Sequence, residues 1–195
     1  MDNMVYAGEI SPTVAVMVLN QGCRSQDMLS EKFIDFIALE VIPWVRNNYN
    51  VSGYENVVIL GPSRAGFSAA FAALRYSNVI GGVLSQSGSF YSTLEEKENC
   101  PIYPEFDGGL LTEYTKFPKQ PVNLYLDVGL YDLGLGRVGV NRQFKGTLEL
   151  KGYKLSYKEY KGGHSHLNWR HTLSNVLIYF FGDTKNSNAL QRTSR

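Results

Sequence analysis

The chain has 195 residues, of which 44% are hydrophobic and 19% are charged, and its formal net charge at pH 7 is +1. This length and composition are typical of one globular domain with a sizeable core. Nucleic-acid binding and membrane insertion are both disfavoured, because the lysines and arginines form no basic stripe and no apolar run is long enough to span a bilayer.

Strand-like and helical patterns alternate along the chain. Short, mostly apolar runs predict strands, several of them buried on both faces, at residues 13–19, 57–60, 82–85, 122–128 and 154–160. Segments with apolar side chains at helical spacing predict helices at residues 30–47, 63–76, 141–151 and 166–181. This alternation predicts an α/β fold in which helices cover both faces of a mostly parallel sheet.

Two details of the helices follow from the same pattern. In the first long helix we expect Phe33, Ile37, Val41 and Val45 to pack on the sheet. Gly152 is expected to stop the third helix, because glycine readily adopts the left-handed conformation that ends helices.

A sharp corner in the segment VVILGPSRAGFSAAFAALR, residues 57–75, joins a predicted strand to a predicted helix. Its spacing fits the phosphate-binding pattern G-x-x-x-x-G-x-S, but Phe67 stands where a P-loop needs lysine, which disfavours a nucleotide site. The corner also fits a nucleophile elbow, a strained turn that exposes one serine above the sheet. Ser63 would be that serine; the alternative is that Ser63 only caps the helix.

The residues around Ser63 suit an elbow. Gly61, Ala65 and Gly66 are small enough to avoid clashes in a tight turn, although the usual pattern has glycine where Ala65 stands. The helix that follows would direct the partial positive charge of its N-terminus at the substrate. The backbone N–H of Arg64 would then be one donor to an oxyanion.

A serine nucleophile needs a base, and the three histidines of the chain all lie in GGHSHLNWRH. His164 follows a predicted strand and two glycines, at the edge of the sheet where α/β proteins bind ligands. It is therefore the expected base. His166 and His171 fall in a predicted helix and are expected to be exposed or capping residues.

The base needs a carboxylate that fixes its tautomer and stabilises the imidazolium. Asp132 lies in the loop after the preceding strand and is the expected acid. Asp127, still in strand register, is the structural alternative. The chain order Ser63, Asp132, His164 is that of α/β-hydrolases.

Longer segments carry a family resemblance. LGPSRAGFSAAFAALRYSNVIGGVLSQSGSFY resembles the elbow region of enterochelin (ferric enterobactin) esterases, DVGLYD resembles their acid-residue loop, and GYKLSYKEYKGGHSHLNWRHTL resembles their G-G-H-x-x-x-x-W-R ending. The resemblance runs over residues 2–181, and feruloyl esterases are relatives of the same group. It implies an α/β-hydrolase three-layer sandwich that acts without cofactor or metal, with Ser63 as nucleophile, Asp132 as acid and His164 as base.

The sequence departs from this family in three respects. Ala65 replaces a glycine, and Ser165 stands where the family often has aspartate; neither change removes a reacting group. In this family the sheet also begins upstream, with a strand between those expected at 13–19 and 57–60 and a loop carrying a second oxyanion donor. The sequence thus looks like the C-terminal two-thirds of a hydrolase domain, N-terminally truncated. The two segments would then pair directly or leave an open edge, which favours poor solubility or a dimer.

The expected function is hydrolysis of a small carboxylic ester by a Ser-His-Asp triad, and siderophore-type esters are implied by resemblance alone. A catalytically weak or inactive fragment and an acyltransferase of the same fold remain alternatives. Arg24 and Arg64 could meet an anionic substrate or simply be solvated.

The remaining features bound the domain and its compartment. Residues 1–182 form the predicted esterase domain, and the polar tail 183–195 is expected to be disordered. Cys23 and Cys100 match no metal or redox spacing, and the N-terminus lacks the order of a signal peptide. We therefore expect reduced thiols in a cytoplasmic protein.

Overall fold

The computed structural model describes residues 1–19, 24–92 and 109–182. Its strands are β1 (Val58–Pro62), β2 (Gly82–Gln86), β3 (Asn123–Gly129) and β4 (Lys154–Tyr160). Its α-helices are α1 (Asp2–Tyr6), α2 (Arg24–Asp27), α3 (Glu31–Phe36), α4 (Ile42–Asn48), α5 (Arg64–Arg75), α6 (Gly109–Lys116), α7 (Gly134–Leu150) and α8 (His166–Phe181). A π-helical turn, Ile37–Val41, joins α3 to α4, and a 3₁₀ turn, Tyr54–Asn56, precedes β1.

The four strands form one parallel sheet in the order β1-β2-β3-β4. Spatial order follows chain order, so successive crossovers of one hand place their helices on the same face of the sheet. The three crossover helices α5, α6 and α7 accordingly share one face, where α3 and α4 also join the core, and α8 contacts β2 and β3 from the other face. The described residues therefore confirm the predicted α/β architecture of helix, sheet and helix layers.

Side chains of the central strands alternate between two cores, as a pleated strand requires. On the α5 and α7 face, Leu124 and Leu126 of β3 join a large cluster with Phe67 and Phe144. On the α8 face, a smaller cluster is centred on three buried side chains, Leu84, Tyr125 and Val176. Strand β2 is buried along its whole length. Strand β3 is buried from Leu124 to Gly129. This burial explains why the runs at 82–85 and 122–128 contain so few polar residues.

The predicted strand at residues 13–19 is wrong. This segment has no regular structure and pairs with no strand among the described residues. Met17 and Leu19 are 88% and 76% exposed. A run of apolar residues forms a strand only when a neighbouring strand takes up its backbone groups, and no described strand pairs with this segment. Strand β1 pairs with β2 alone, so its other side is open within the described residues.

The predicted helix at residues 30–47 is confirmed, but its buried face differs from the expected one. Ile34, Ala38 and Ile42 are buried, one position along from the predicted set, whereas Ile37 is half-buried against the core. The π-helical turn ends at Val41, two residues before Pro43, which has no N–H to donate to the preceding turn. This local change of helical winding is what a regular helical pattern does not anticipate.

Helix α7 begins at Gly134, seven residues before the predicted start at Asn141. Three glycines in GLGRVG interrupt the apolar pattern of its first two turns. Gly152 stops the helix as expected, with φ +71° and its N–H bonded to the Glu149 carbonyl. Cys23, Cys100 and the tail 183–195 lie outside the described residues. No helix among the described residues is long and apolar enough to cross a membrane.

Candidate active site

Polar residues follow the carboxyl end of every strand of the sheet. Ser63 comes directly after β1, Ser87 directly after β2, Asp132 in the loop after β3, and His164 in the loop after β4. Because the strands are parallel, all four residues lie at the same edge of the sheet, where open α/β sheets bind ligands.

The corner at Ser63 has the geometry of an elbow. Ser63 has φ +58° and ψ −122°, a sparsely populated conformation that costs of the order of 1–3 kcal/mol in a residue with a side chain. Its N–H is bonded to the Gln86 carbonyl at 2.8 Å, which ties the turn to β2. Its hydroxyl makes no capping hydrogen bond to α5. Ser63 therefore does not act as the simple helix cap that was the alternative interpretation.

Two glycines are required by the tightness of this turn. A Cβ at Gly61 would lie 2.4 Å from the Ala65 carbonyl carbon, and one at Gly66 would lie 2.2 Å from Ser85 Oγ. Phe67, at the lysine position of a P-loop, is buried in the core. The glycines thus allow the turn to pack closely. Phe67 also offers no positive charge to a phosphate, which argues against a P-loop.

His164 is paired with Asp132. Its Nδ1 lies 2.8 Å from Asp132 Oδ1, and the same oxygen accepts the Leu133 N–H at 2.6 Å. Burial by itself would raise the pKa of Asp132, but the polar groups of His164, Ser87 and the Leu133 N–H outweigh it and lower the pKa. An ionised carboxylate only accepts hydrogen bonds, so Nδ1 carries the hydrogen and Nε2 is left as the basic nitrogen.

The His164 ring is held from one side by Trp169. The two rings meet edge to face, with centroids 4.8 Å apart, and the Trp169 Nε1–H donates to Ser87 Oγ at 3.3 Å. The His164 side chain remains 18% exposed. His166 and His171 are both exposed on α8, as predicted from the sequence.

Asp127, the alternative acid, occupies a different environment. It is buried in β3, and neither of its carboxylate oxygens has a hydrogen-bond partner among the described residues. Burial raises its pKa to about 6, although the nearby polar groups of Thr172 and Gln86 oppose that shift. The hydrogen bond of His164 goes to Asp132 rather than to Asp127.

A buried arginine that was not predicted from the sequence to be a site residue lies between the Asp132–His164 pair and the region of Ser63. Arg137 of α7 is 3% exposed. Its guanidinium donates to the Ser87 carbonyl, to Ser89 Oγ and to the Tyr91 hydroxyl, and its Nε lies 3.9 Å from Asp132 Oδ1. Ser89 Oγ in turn lies 3.3 Å from Ser63 Oγ.

A sequence signal for this arginine exists. Arg137 stands at helical spacing with Asn141, Phe144 and Leu148, which are all buried, so it falls on the core face of α7. A charged residue on a core face is an indication of function, because burying a charge is costly unless it is paired.

Arg64 is the first residue of α5, so its backbone N–H lies at the N-terminal end of that helix. Among the described residues, no three histidine, cysteine, aspartate or glutamate side chains are grouped so as to hold a metal ion.

Comparison with known proteins decides the family. The family model described as "Putative esterase" matches residues 1–180 of the chain. The chain belongs to this esterase family. The resemblance to enterochelin esterases that the motifs indicated is confirmed, and the relatives share the α/β-hydrolase type of fold.

Three relatives illustrate the similarity. The iron(III) enterobactin esterase of Dickeya dadantii is 29% identical over 125 residues, which cover 60% of this chain and 27% of that protein. The enterobactin esterase of Shigella flexneri, solved with 2,3-dihydroxy-N-benzoyl-glycine, superimposes with a TM-score of 0.76 at 22% identity and covers 91% of this chain. A Staphylococcus aureus fluorophosphonate-binding serine hydrolase gives a TM-score of 0.60 at 20% identity over 77% of this chain.

The chain is shorter than these relatives. It spans 46% of the Shigella esterase and 64% of the Staphylococcus hydrolase. The structural likeness therefore concerns the fold of the shared region.

Proposed function

We propose that this esterase-family chain carries the reacting groups of a serine carboxylic-ester hydrolase, with Ser63 as nucleophile, His164 as general base and Asp132 as the acid that orients it. The observation that supports this most strongly is the 2.8 Å hydrogen bond between His164 and Asp132. It lies at the same sheet edge as the strained turn at Ser63. A buried acid, a histidine with its Nε2 unprotonated and an elbow serine are what acyl transfer to serine requires.

In the first half-reaction, Ser63 Oγ attacks the ester carbonyl carbon while its proton passes to His164 Nε2. The carbonyl oxygen becomes an oxyanion, which the Arg64 N–H at the start of α5 would stabilise. Collapse of this intermediate breaks the bond to the alcohol oxygen, and His164 gives its proton to that leaving group. Asp132 remains ionised and stabilises the imidazolium. The product is an ester of Ser63 and a free alcohol.

In the second half-reaction, a water molecule replaces the alcohol. His164 takes a proton from the water as the oxygen attacks the acyl carbon, and it returns that proton to Ser63 Oγ as the acyl group leaves. The carboxylic acid is released and the starting state is restored.

The names of the relatives suggest the class of ester. Two of them are enterobactin esterases, one of them solved with a dihydroxybenzoyl amino acid. We extend this to siderophore-type esters of catechol-bearing serine units. The chain would then cleave such an ester faster than an aliphatic ester of similar size, which a comparison of kcat/KM on the two substrates measures.

The basic experiment is hydrolysis of a nitrophenyl ester by the wild type, Ser63→Ala and Ser174→Ala, the last an exposed serine of α8. Ser63→Ala should reduce turnover to background while circular dichroism stays unchanged, because one oxygen is removed from a turn that the backbone holds. Ser174→Ala should match the wild type. Product analysis with an added alcohol distinguishes hydrolysis from acyl transfer. Activity that survives in Ser63→Ala would refute the proposal.

A further inference from the structure

We infer that the Ser89 hydroxyl is a further catalytic group of this site, a hydrogen-bond donor to Ser63 Oγ that Arg137 holds in place. This inference rests on the proposed role of Ser63 as nucleophile. Ser89 is buried, and its oxygen contacts both Ser63 Oγ, at 3.3 Å, and the Arg137 guanidinium. Neither Ser89 nor Arg137 belongs to the predicted triad.

The direction of the hydrogen bond follows from the chemistry of the three groups. A guanidinium has only donors, so Arg137 uses one lone pair of Ser89 Oγ. The single hydrogen of the Ser89 hydroxyl is then left to donate, and Ser63 Oγ lies within reach of it. If Ser89 donates to Ser63, the hydrogen of Ser63 is available to His164. Arg137 thereby favours the arrangement in which the nucleophile can transfer its proton to the base.

Ser89 and its loop are held by hydrogen bonds to Ser63 and to helix α7. Its backbone N–H donates to the Ser63 carbonyl at 3.1 Å, so the two serines are tied together through both main chain and side chain. The adjoining carbonyls of Ser87 and Gly88 accept hydrogen bonds from Arg137 and from Asn141 Nδ2. Arg137 and Asn141 lie one turn apart on α7. This helix therefore positions the donor before any substrate arrives.

The donor would act at the points where charge forms on Ser63 Oγ. At 3.3 Å the contact is long for two neutral hydroxyls. Hydrogen bonds to an oxygen that bears negative charge are shorter and stronger. Charge accumulates on Ser63 Oγ as its proton leaves in acylation and again as it departs from the acyl group in deacylation. Ser89 would stabilise both moments without itself gaining or losing a proton.

The test compares Ser89→Ala with Ser92→Ala, which removes a hydroxyl from a buried serine of the same loop that has no hydrogen-bond partner for its side chain among the described residues. Both variants delete one oxygen. Ser89→Ala should lower kcat/KM on a nitrophenyl ester by about 10- to 100-fold, the loss expected for one hydrogen bond to a charged oxygen. Ser92→Ala should stay within about twofold of the wild type.

The pH dependence of kcat/KM distinguishes a hydrogen-bond donor to Ser63 from a residue that only maintains the structure of the site. Loss of a donor to Ser63 should lower the plateau of kcat/KM and leave its midpoint unchanged, because His164 and Asp132 keep their contacts. A shifted midpoint in Ser89→Ala would mean that the pair has moved, and it would overturn the inference. Equal rates for Ser89→Ala and Ser92→Ala would also overturn it. The role of Ser63 would nevertheless stand if the wild type is active and Ser63→Ala is not.

Arg137 is a positioning residue in this arrangement, and Arg137→Lys tests that separately. Lysine keeps the charge but lacks the fork that reaches Ser87, Ser89 and Tyr91 together. Its effect on kcat/KM should largely disappear in the Ser89→Ala background, because both changes remove the same hydrogen bond. Fully additive losses would contradict the link. A wild type that neither hydrolyses the ester nor reacts at Ser63 would overturn this inference and the proposed function together.

Discussion

The region beneath the sheet edge and the loop above it each contain a buried aspartate, and the two carboxylates behave in opposite ways. Asp127 in β3 is 1% exposed and Asp132 in the following loop is 5% exposed. Burial raises the pKa of Asp127 to about 6, whereas at Asp132 the polar contacts outweigh burial and lower the pKa. The two residues stand only five positions apart on the chain.

The difference lies in the donors that each carboxylate meets. Asp132 accepts hydrogen bonds from His164 and from the Leu133 N–H. The oxygens of Asp127 have no such partner among the described residues. Burial alone therefore does not identify an acid suited to orient a histidine. The position of the residue also matters. Asp132 lies in the loop after β3, and from there it reaches His164 in the loop after the neighbouring strand β4.

The largest effect that separates the two regions should be on activity. Asp132→Asn should lower kcat by about 10³- to 10⁴-fold, because an amide facing His164 favours the wrong tautomer. Asp127→Asn should stay within a few-fold of the wild type. Steady-state kinetics on a nitrophenyl ester measures both. If Asp127→Asn proves the more damaging change, the orienting acid has been misassigned.

The second effect concerns the stability of the Asp127 region. Its pKa in the folded protein, about 6, lies above the ordinary value of 3.8, so the unfolded chain releases this proton first as pH rises. The contribution of protonated Asp127 to the free energy of unfolding is fully present below about pH 4 and is lost as the pH rises through 6. At pH 8 the folded protein must hold a buried, charged carboxylate at this position. Asp127→Asn removes that cost and should raise the free energy of unfolding by up to about 3 kcal/mol at pH 8.

The control for this experiment is the same pair of proteins at low pH. Urea unfolding at pH 4 should show a difference of only about 0.5 kcal/mol between Asp127→Asn and the wild type, because Asp127 is then protonated in the folded protein and about half protonated in the unfolded chain. A gain of equal size at both pH values would mean that the amide stabilises the fold by contacts rather than by removing a charge.

The smallest effect should come from the Asp132 region, with the opposite sign. The lowered pKa of Asp132 means that its charged form stabilises the fold above the ordinary value and that this contribution is lost as pH falls through the folded value. Asp132→Asn should therefore lower the free energy of unfolding at pH 7, by about 1 kcal/mol for one lost hydrogen bond. Urea unfolding at pH 7 checks it, and an increase in stability would contradict the comparison.

The elements that the sequence predicted best are those with a complete pattern. β4 and α8 have the predicted bounds, 154–160 and 166–181, because turn residues bracket them and their apolar side chains repeat regularly. The three other strands lie within two residues of their predicted ends. The position of His164 after β4 and of Asp132 after β3 followed from this frame and from the location of ligand sites in α/β sheets.

Other features depend on contacts that no local pattern encodes. Residues 13–19 have a strand-like composition, but a strand also needs a neighbour, and Val14 and Val16 are more than 40% exposed. The pairing of Arg137 with Ser89 joins segments that are 48 residues apart.

The predicted dimer through an open sheet edge stays a prediction. The mass of the protein in solution tests it: a monomer at all concentrations would count against it.

The most direct measurement of the central claim, that Ser63 acts with the His164–Asp132 pair, is the site and rate of covalent labelling by a fluorophosphonate. Mass spectrometry should find one adduct, on Ser63, in the wild type. His164→Ala should slow its formation by at least about 10³-fold, and His171→Ala, which changes an exposed histidine of α8, should not slow it. An adduct on another serine, or labelling of Ser63 at an unchanged rate in His164→Ala, would contradict the claim.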